Sequence, residues 1–150
     1  SCAKAEAQAL REVVALAAAL GLDRGQLDAY EPMCAAHAYA TFLGELARDA
    51  DPAVVCGAFL LSFRSFGALC GRLSAGLRQH YSLPKDRTAF LDRFTDPAAL
   101  DAFERAAMGV VAEGVGRGVP EAEVRRAAHM LQGYELSFWD SVYNACPELP

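Results

Sequence analysis

The sequence predicts an all-α protein, a bundle of five main helices and one short helix, on three observations. Alternating strand patterns are almost absent, proline and glycine punctuate the chain at helix-like intervals, and apolar residues recur at steps of three and four. Helices are expected at roughly 3–20, 32–49, 52–80, 97–116 and 120–145, with a short one near 85–94. The short linkers favour antiparallel neighbours within a single domain spanning residues 1–150.

The first three helices have recognisable ends. Gly21 is a typical C-terminal stop for the first helix, and Pro32 is a typical opening for the second. Asp51-Pro52 places an N-cap carboxylate directly before a proline at the first helical position, which opens the third helix. In that helix an apolar stripe is formed by Phe59, Phe63, Phe66, Cys70, Leu73 and Leu77, and we interpret its phenylalanines as core rather than as a ligand platform.

The last two main helices follow the same rules. Asp96-Pro97 repeats the cap-and-proline signal, and Gly118 is one of the glycines that end the helix begun there. Pro120 then opens the final helix, and the acidic Glu121 suits the positive end of its dipole. These signals indicate five antiparallel helices with little chain left for other structure.

Composition narrows the possible functions. A 150-residue chain with 53% hydrophobic residues can build a real core, and its net charge of −5 with scattered basic residues argues against a nucleic-acid partner. Uninterrupted apolar stretches are too short to span a bilayer, so membrane insertion is not expected. The five cysteines are odd in number and form no CxxC pair, which favours thiols in a reducing compartment, cytoplasm or organelle; no signal peptide is visible.

The final helix holds the sharpest anomaly. Glu135 lies on an apolar stripe, flanked one turn away on each side by Leu131 and Phe138. A carboxylate there must be paired, hydrogen-bonded or protonated, and desolvation would raise its pKa toward the range of a general acid or base. The alternatives are a structural Glu bonded to a buried Tyr or Arg, and one that rotates to the rim of the bundle.

Other polar groups on the stripes have plainer interpretations. Tyr39 carries a hydroxyl that needs a partner, which backbone or Glu135 could supply in an ordinary core. Ser62 belongs to a set of small residues that permit close helix packing, and no histidine falls at helical spacing from it to serve as a base. The three histidines are isolated, so neither a metal site nor a cofactor is expected.

Three segments, in matching order, resemble the TenA (thiaminase II) family. The ending Tyr134 to Tyr143 is similar to the family's closing helix, with Glu, two residues, Phe-Trp-Asp and a nearby Tyr. Leu20-Gly21-Leu22 followed by residues 38–43 is similar to its run from "LG" through "AYTxYL", and residues 90–94 are similar to its "WIxxY" segment. The resemblance covers most of residues 5–145 and implies the C-terminal two-thirds of a family member without the N-terminal helices.

The resemblance implies a haem-oxygenase-like fold with a central pocket for an aminopyrimidine and hydrolytic chemistry. It assigns Glu135 as the catalytic acid/base, while Ser62 stands where the thiaminase branch has its cysteine, so displacement of a thiazolium by a thiol is not expected. Phenylalanines stand at two of the family's tyrosine positions. The implied substrate-binding residues are Tyr39, Ser62, Phe66, Phe94 and Phe138.

These features lead to two main functional hypotheses. The first is an aminopyrimidine aminohydrolase of thiamin salvage that uses Glu135 and no catalytic cysteine. The alternative is a non-catalytic TenA-like protein acting as a binding module or accessory subunit of a larger assembly. A haem or redox ligand is less favoured for want of an axial ligand. Under either main hypothesis we expect a homo-oligomer or a subunit of a larger complex, because apolar stripes left uncovered mark partner surfaces.

Overall fold

The computed structural model describes the backbone of residues 2–145 and the side chains of residues 7–145. Its regular secondary structure is helical, and no strand occurs within residues 2–145, which confirms the all-α prediction. A short 3-10 helix covers Lys85–Thr88. The α-helices are α1 (Cys2–Ala19), α2 (Arg24–Asp28), α3 (Cys34–Asp49), α4 (Pro52–Tyr81), α5 (Ala89–Asp92), α6 (Pro97–Gly116) and α7 (Glu121–Ala145).

The proline-based helix starts are confirmed for α4 and α6. The Asp51 carboxylate accepts a hydrogen bond from the Ala53 N–H at 2.8 Å, and the Asp96 carboxylate accepts one from the Ala98 N–H at 3.0 Å. Both carboxylates satisfy backbone donors that a helix leaves without partners at its first turn. The second main helix begins at Cys34, two residues later than expected, because Met33 adopts a non-helical conformation with ψ of 144°.

Helix α2 was not predicted. Its five residues are too short to show an apolar period, but its cap has a sequence signature. The Asp23 carboxylate accepts from the Gln26 N–H at 2.8 Å while the Gln26 side chain accepts from the Asp23 N–H at 2.9 Å, a reciprocal capping box. Upstream, Gly21 takes a φ of +83° as it ends α1, which is the conformation that favours glycine at a helix end.

The chain divides into two compact units. Unit 1 comprises Ser1–Glu31 and Ser65–Leu100, and unit 2 comprises Pro32–Arg64 and Asp101–Pro150. Helices α4 and α6 contribute residues to both. The expectation of a single TenA-like domain across residues 1–150 stays a prediction.

Unit 1 contains a satisfied polar network. The Asp92 carboxylate accepts from the Ser74 hydroxyl at 2.6 Å, from the Thr88 hydroxyl at 3.0 Å and from the Arg78 guanidinium at 2.9 Å. Ser74 and Thr88 are fully buried. Burial raises the pKa of Asp92, but the two hydroxyl donors and the Arg78 charge outweigh it, so the pKa lies below its ordinary value. The network ties the segment 85–92 to α4.

Helix α1 is held in unit 1 by a second ion pair. Arg93 donates to the two Glu12 carboxylate oxygens at 2.8 and 3.1 Å, a two-pronged contact across 81 residues of sequence. The hydrogen bond from Arg93, helped by one from Gln8, lowers the pKa of Glu12. Bidentate pairs of this kind fix orientation as well as supplying charge attraction.

Unit 2 is built around the contact between α3 and α7. Its fully or nearly buried apolar residues are Leu46, Val54, Ala58, Ala127 and Leu131. Aromatic pairs extend this core along the two helices. The Phe42 and Tyr134 rings lie 4.9 Å apart, and the Tyr39 and Phe138 rings 6.1 Å apart.

The most deeply buried line of α4 consists of small residues. Ala58 and Ser62 are at most 2% exposed in unit 2, whereas the phenylalanines of the predicted stripe are half-buried, and Leu73, assigned to that stripe, is 44% exposed. The stripe prediction was therefore wrong for Leu73. Neighbouring helices approach α4 too closely for large side chains, and a Cβ at Gly57 would collide with Val124 of α7.

Helix α4 is long and apolar enough, by length and composition, to cross a membrane. Its valine, leucine, phenylalanine, alanine and cysteine residues give a high mean hydropathy, although interspersed glycine and serine residues keep every uninterrupted apolar run short. Buried core helices of soluble proteins pass the same test, so this is weak evidence, and the expectation of no membrane insertion stays a prediction.

Two glycines of α6 make a matched test of the close packing in unit 2. A Cβ at Gly114 would collide with the Ala53 Cβ of α4, whereas a Cβ at Gly109 would meet nothing within 4 Å. We expect Gly114→Ala to lower the free energy of unfolding by about 1–3 kcal/mol through overpacking. Gly109→Ala should raise it by about 0.5–1 kcal/mol through helix propensity. Urea unfolding followed by circular dichroism measures both, and equal effects would contradict the packing described.

Candidate functional site

The candidate site is centred on Glu135, near the middle of α7. This residue is 6% exposed although it carries a carboxyl group, and Leu131, one turn earlier, is fully buried. Its apolar neighbours on the stripe place it on the face of α7 that packs inward in unit 2. The side chain is therefore not rotated to the rim, which removes one of the two structural alternatives.

Two polar groups act on the Glu135 carboxylate. The Ser62 hydroxyl comes from α4, and the Trp139 indole N–H comes from the next turn of α7. Both donor atoms are inaccessible to solvent. Desolvation raises the pKa of Glu135, the nearby Trp139 and Ser62 donors lower it, and desolvation prevails.

Tyr39 supplies a third polar group from α3. Burial, with the nearby Glu135 charge as a smaller cause, raises the pKa of Tyr39 to about 12. The phenol consequently remains a neutral hydrogen-bond donor throughout the physiological range. Its ring stacks on Phe138 with the centroids 6.1 Å apart, so Phe138 holds the tyrosine ring beside the carboxylate.

Four of the six predicted site residues thus come together in unit 2. Tyr39, Ser62, Glu135 and Phe138 are connected by these electrostatic and ring contacts. Helices α3, α4 and α7 each position part of the group. The arrangement provides a titratable carboxyl group, a neutral phenol and a hydroxyl, which are the elements of a general acid–base site.

The other two predicted residues lie in unit 1. The Phe66 and Phe94 rings contact each other edge to face with centroids 5.0 Å apart, and Phe90 contacts Phe94 in turn at 5.5 Å. Gly67 allows the Phe94 carbonyl to approach α4, because a Cβ there would collide with that oxygen. Their assignment to substrate binding stays a prediction.

Trp139 is a site residue without a predicted role, although its position four residues after Glu135 places both on one helix face. The structure shows Arg64 donating to Asp101 at 2.7 Å and to Glu104 at 2.8 Å, within unit 2. These two carboxylates raise the pKa of the Arg64 guanidinium, Glu104 more strongly.

Two cavities among the described residues of unit 2 are large enough to compare with the position of Glu135. The larger, of about 580 Å³, is lined mainly by apolar side chains of α4, α6 and α7. The smaller, of about 380 Å³, is lined by α7 residues between His129 and Ser137. Neither lining includes Glu135, so the carboxylate is enclosed by its neighbours rather than exposed to either space.

Metal-ligand side chains do not cluster in the part of the chain whose side chains are described. No group of three or more His, Cys, Asp or Glu residues lies within reach of a common ion among residues 7–145. Of the cysteines, Cys34 is exposed and Cys56 is half-buried, and burial raises the pKa of the Cys56 thiol. Cys2 and Cys146 lie outside the described side chains.

The raised pKa of Glu135 predicts a pH-dependent effect of Glu135→Gln. Between the ordinary value of 4.5 and the raised value, the native state holds a proton that the unfolded chain has released, so its stability falls as pH rises through that window. Glutamine removes the cost of the buried charge. We expect the free energy of unfolding to rise on the order of 1 kcal/mol at pH 7 and to change little at pH 4.

Denaturant unfolding at the two pH values measures this effect. Asp140→Asn, at an exposed position on the same helix, serves as the matched control and should change stability equally at both. A Glu135→Gln variant less stable at pH 7 than at pH 4, relative to the native protein, would contradict the raised pKa.

Comparisons with protein-family models, with curated proteins and with solved structures find no match to this chain.

Proposed function

We propose that unit 2 is a hydrolytic site in which Glu135 acts as general acid and base on an aminopyrimidine, as in thiamin salvage, within a haem-oxygenase-like bundle. The observation that carries the proposal is the burial of Glu135 among Ser62, Trp139 and Tyr39. A carboxyl group whose pKa is raised by desolvation holds a proton more readily than an ordinary one, which suits a group that must accept a proton and return it.

The proposed reaction replaces an amino group on the ring by a hydroxyl group. The Glu135 carboxylate accepts a proton from water as the water oxygen bonds to the ring carbon. The resulting carboxylic acid then gives that proton to the leaving nitrogen, which departs as ammonia when the carbon–nitrogen bond breaks. One carboxyl group thus serves both steps, and water and substrate together balance the product and ammonia.

Tyr39 and Ser62 have positioning roles in this scheme. The neutral Tyr39 phenol can donate a hydrogen bond to a ring nitrogen, since its pKa of about 12 keeps the proton in place. The Ser62 hydroxyl acts on the carboxylate from α4, where it favours the charged form against desolvation. Serine is not proposed as a nucleophile, because an alkoxide is inaccessible at neutral pH without an adjacent base.

A second candidate function is a non-catalytic binding module or accessory subunit. The observation that favours it is that Glu135 lines neither the 580 Å³ nor the 380 Å³ cavity described above. A carboxyl group enclosed by Ser62, Tyr39 and Trp139 could serve only to fix the register of α3, α4 and α7. Substrate entry would then require these helices to separate.

Ammonia release from a pyrimidine that carries an amino group on a ring carbon tests the first candidate. The native protein should turn the compound over, and Glu135→Gln should reduce the rate by about 10²–10⁴-fold while remaining folded, the usual contribution of a general acid or base. Tyr39→Phe should weaken binding more than it slows the chemical step. Asp140→Asn should match the native protein. Turnover that survives in Glu135→Gln would overturn the assignment.

Thermal unfolding with the same compound separates the two candidates. A ligand that binds the native state at 100 times its Kd stabilises it by about 2.7 kcal/mol, which raises the melting temperature measurably. The hydrolytic proposal predicts such a rise in Glu135→Gln, where the ligand is not consumed. The accessory proposal predicts no rise in either protein.

A further inference from the structure

A second surface of unit 2 has features that the buried carboxylate does not explain. An apolar groove with a volume of about 580 Å³ lies between α4, α6 and α7. Its floor is close-packed, because α4 and α7 meet at Gly57 and Val124. Two large apolar side chains of its lining stand far out into solvent: Leu61 is 60% exposed and Met108 is 59% exposed.

The charged residues of the groove form a pattern. Glu121 and Arg125 both line it, and they lie one helical turn apart at the start of α7. Their own ion pair is long, 3.9 Å, and both side chains are more than 70% exposed. A contact of that length between exposed groups contributes little, so both charges are available to a partner.

From this pattern we infer that the groove is the interface of a homodimer. A two-fold axis passing between residues 121 and 125 brings two α7 helices together in antiparallel fashion. Each Glu121 then faces Arg125 of the other copy, and each Arg125 faces Glu121, as a self-complementary interface requires. Leu61 and Met108 of one copy enter the apolar groove of the other, which removes their exposed surface from water.

Other occupants fit the groove less well. A small anion attracted by Arg125 would be repelled by Glu121 one turn away, and a small cation attracted by Glu121 would be repelled by Arg125. The rim therefore has no net charge to recruit an ion. A second copy carries the same two charges in reversed order, and it also offers side chains that match the apolar lining. This inference is independent of the chemistry proposed for Glu135.

Charge reversal tests the interface directly. Sedimentation equilibrium should show a concentration-dependent dimer for the native protein. Arg125→Glu places two acidic pairs face to face and Glu121→Arg two basic pairs, so each variant alone should dimerise about tenfold or more weakly. An equimolar mixture of the two variants should restore the dimer, since each copy then meets its opposite charge. Recovery on mixing also shows that both variants are folded.

Arg126→Glu supplies the matched control. It makes the same change in net charge at an exposed position on α7 that does not line the groove, and it should leave dimerisation unchanged. Leu61→Asp should abolish the dimer in every background. Three results would overturn the inference: a native protein that stays monomeric at all concentrations, a dimer that Arg125→Glu leaves unaffected, or a mixture of the two variants that stays monomeric. A groove that binds a small molecule or an unrelated protein would give the first of these results.

Discussion

Enclosing one carboxyl group is the constraint on which the organisation of unit 2 depends. Glu135 leaves water when α7 packs inward, and the cost of that transfer is offset only where polar groups from other elements reach it. Ser62 on α4 and Tyr39 on α3 are placed to do so. The relative positions of three helices are consequently fixed by one titratable group as well as by apolar contacts.

Small residues make this enclosure possible. Ser62 reaches the carboxylate because the buried line of α4 is made of short side chains, and the contacts at Gly57 and Gly114 bring α7 and α6 close to that helix. Larger residues at these positions would hold the helices apart and admit water to Glu135. The close packing of the helices therefore determines how far Glu135 is removed from water, and through this desolvation it raises the pKa of the carboxyl group.

The helices could be predicted from the sequence because a few adjacent residues determine where each helix begins and ends. Asp51-Pro52 and Asp96-Pro97 fix a helix start with two residues each, and the apolar period of α7 was enough to mark Glu135 as an anomaly. Side-chain contacts between residues far apart in the sequence could not be predicted from such local patterns. In the network around Asp92, that residue of α5 contacts Ser74 and Arg78 of α4, and no local sequence pattern indicates this pairing. The contact between the Phe66 and Phe94 rings likewise depends on the three-dimensional packing of the chain and not on the spacing of residues along a helix.

A direct titration of Glu135 tests the central claim, that the fold makes its charged form unfavourable. The side-chain carboxyl carbon can be followed by NMR in glutamate-labelled protein, with Glu135→Gln identifying its signal. The account predicts a midpoint above the ordinary value of 4.5, because desolvation outweighs the opposing effect of the Trp139 and Ser62 donors. A midpoint at or below 4.5 would mean that the carboxylate is solvated or fully compensated, and it would contradict the account.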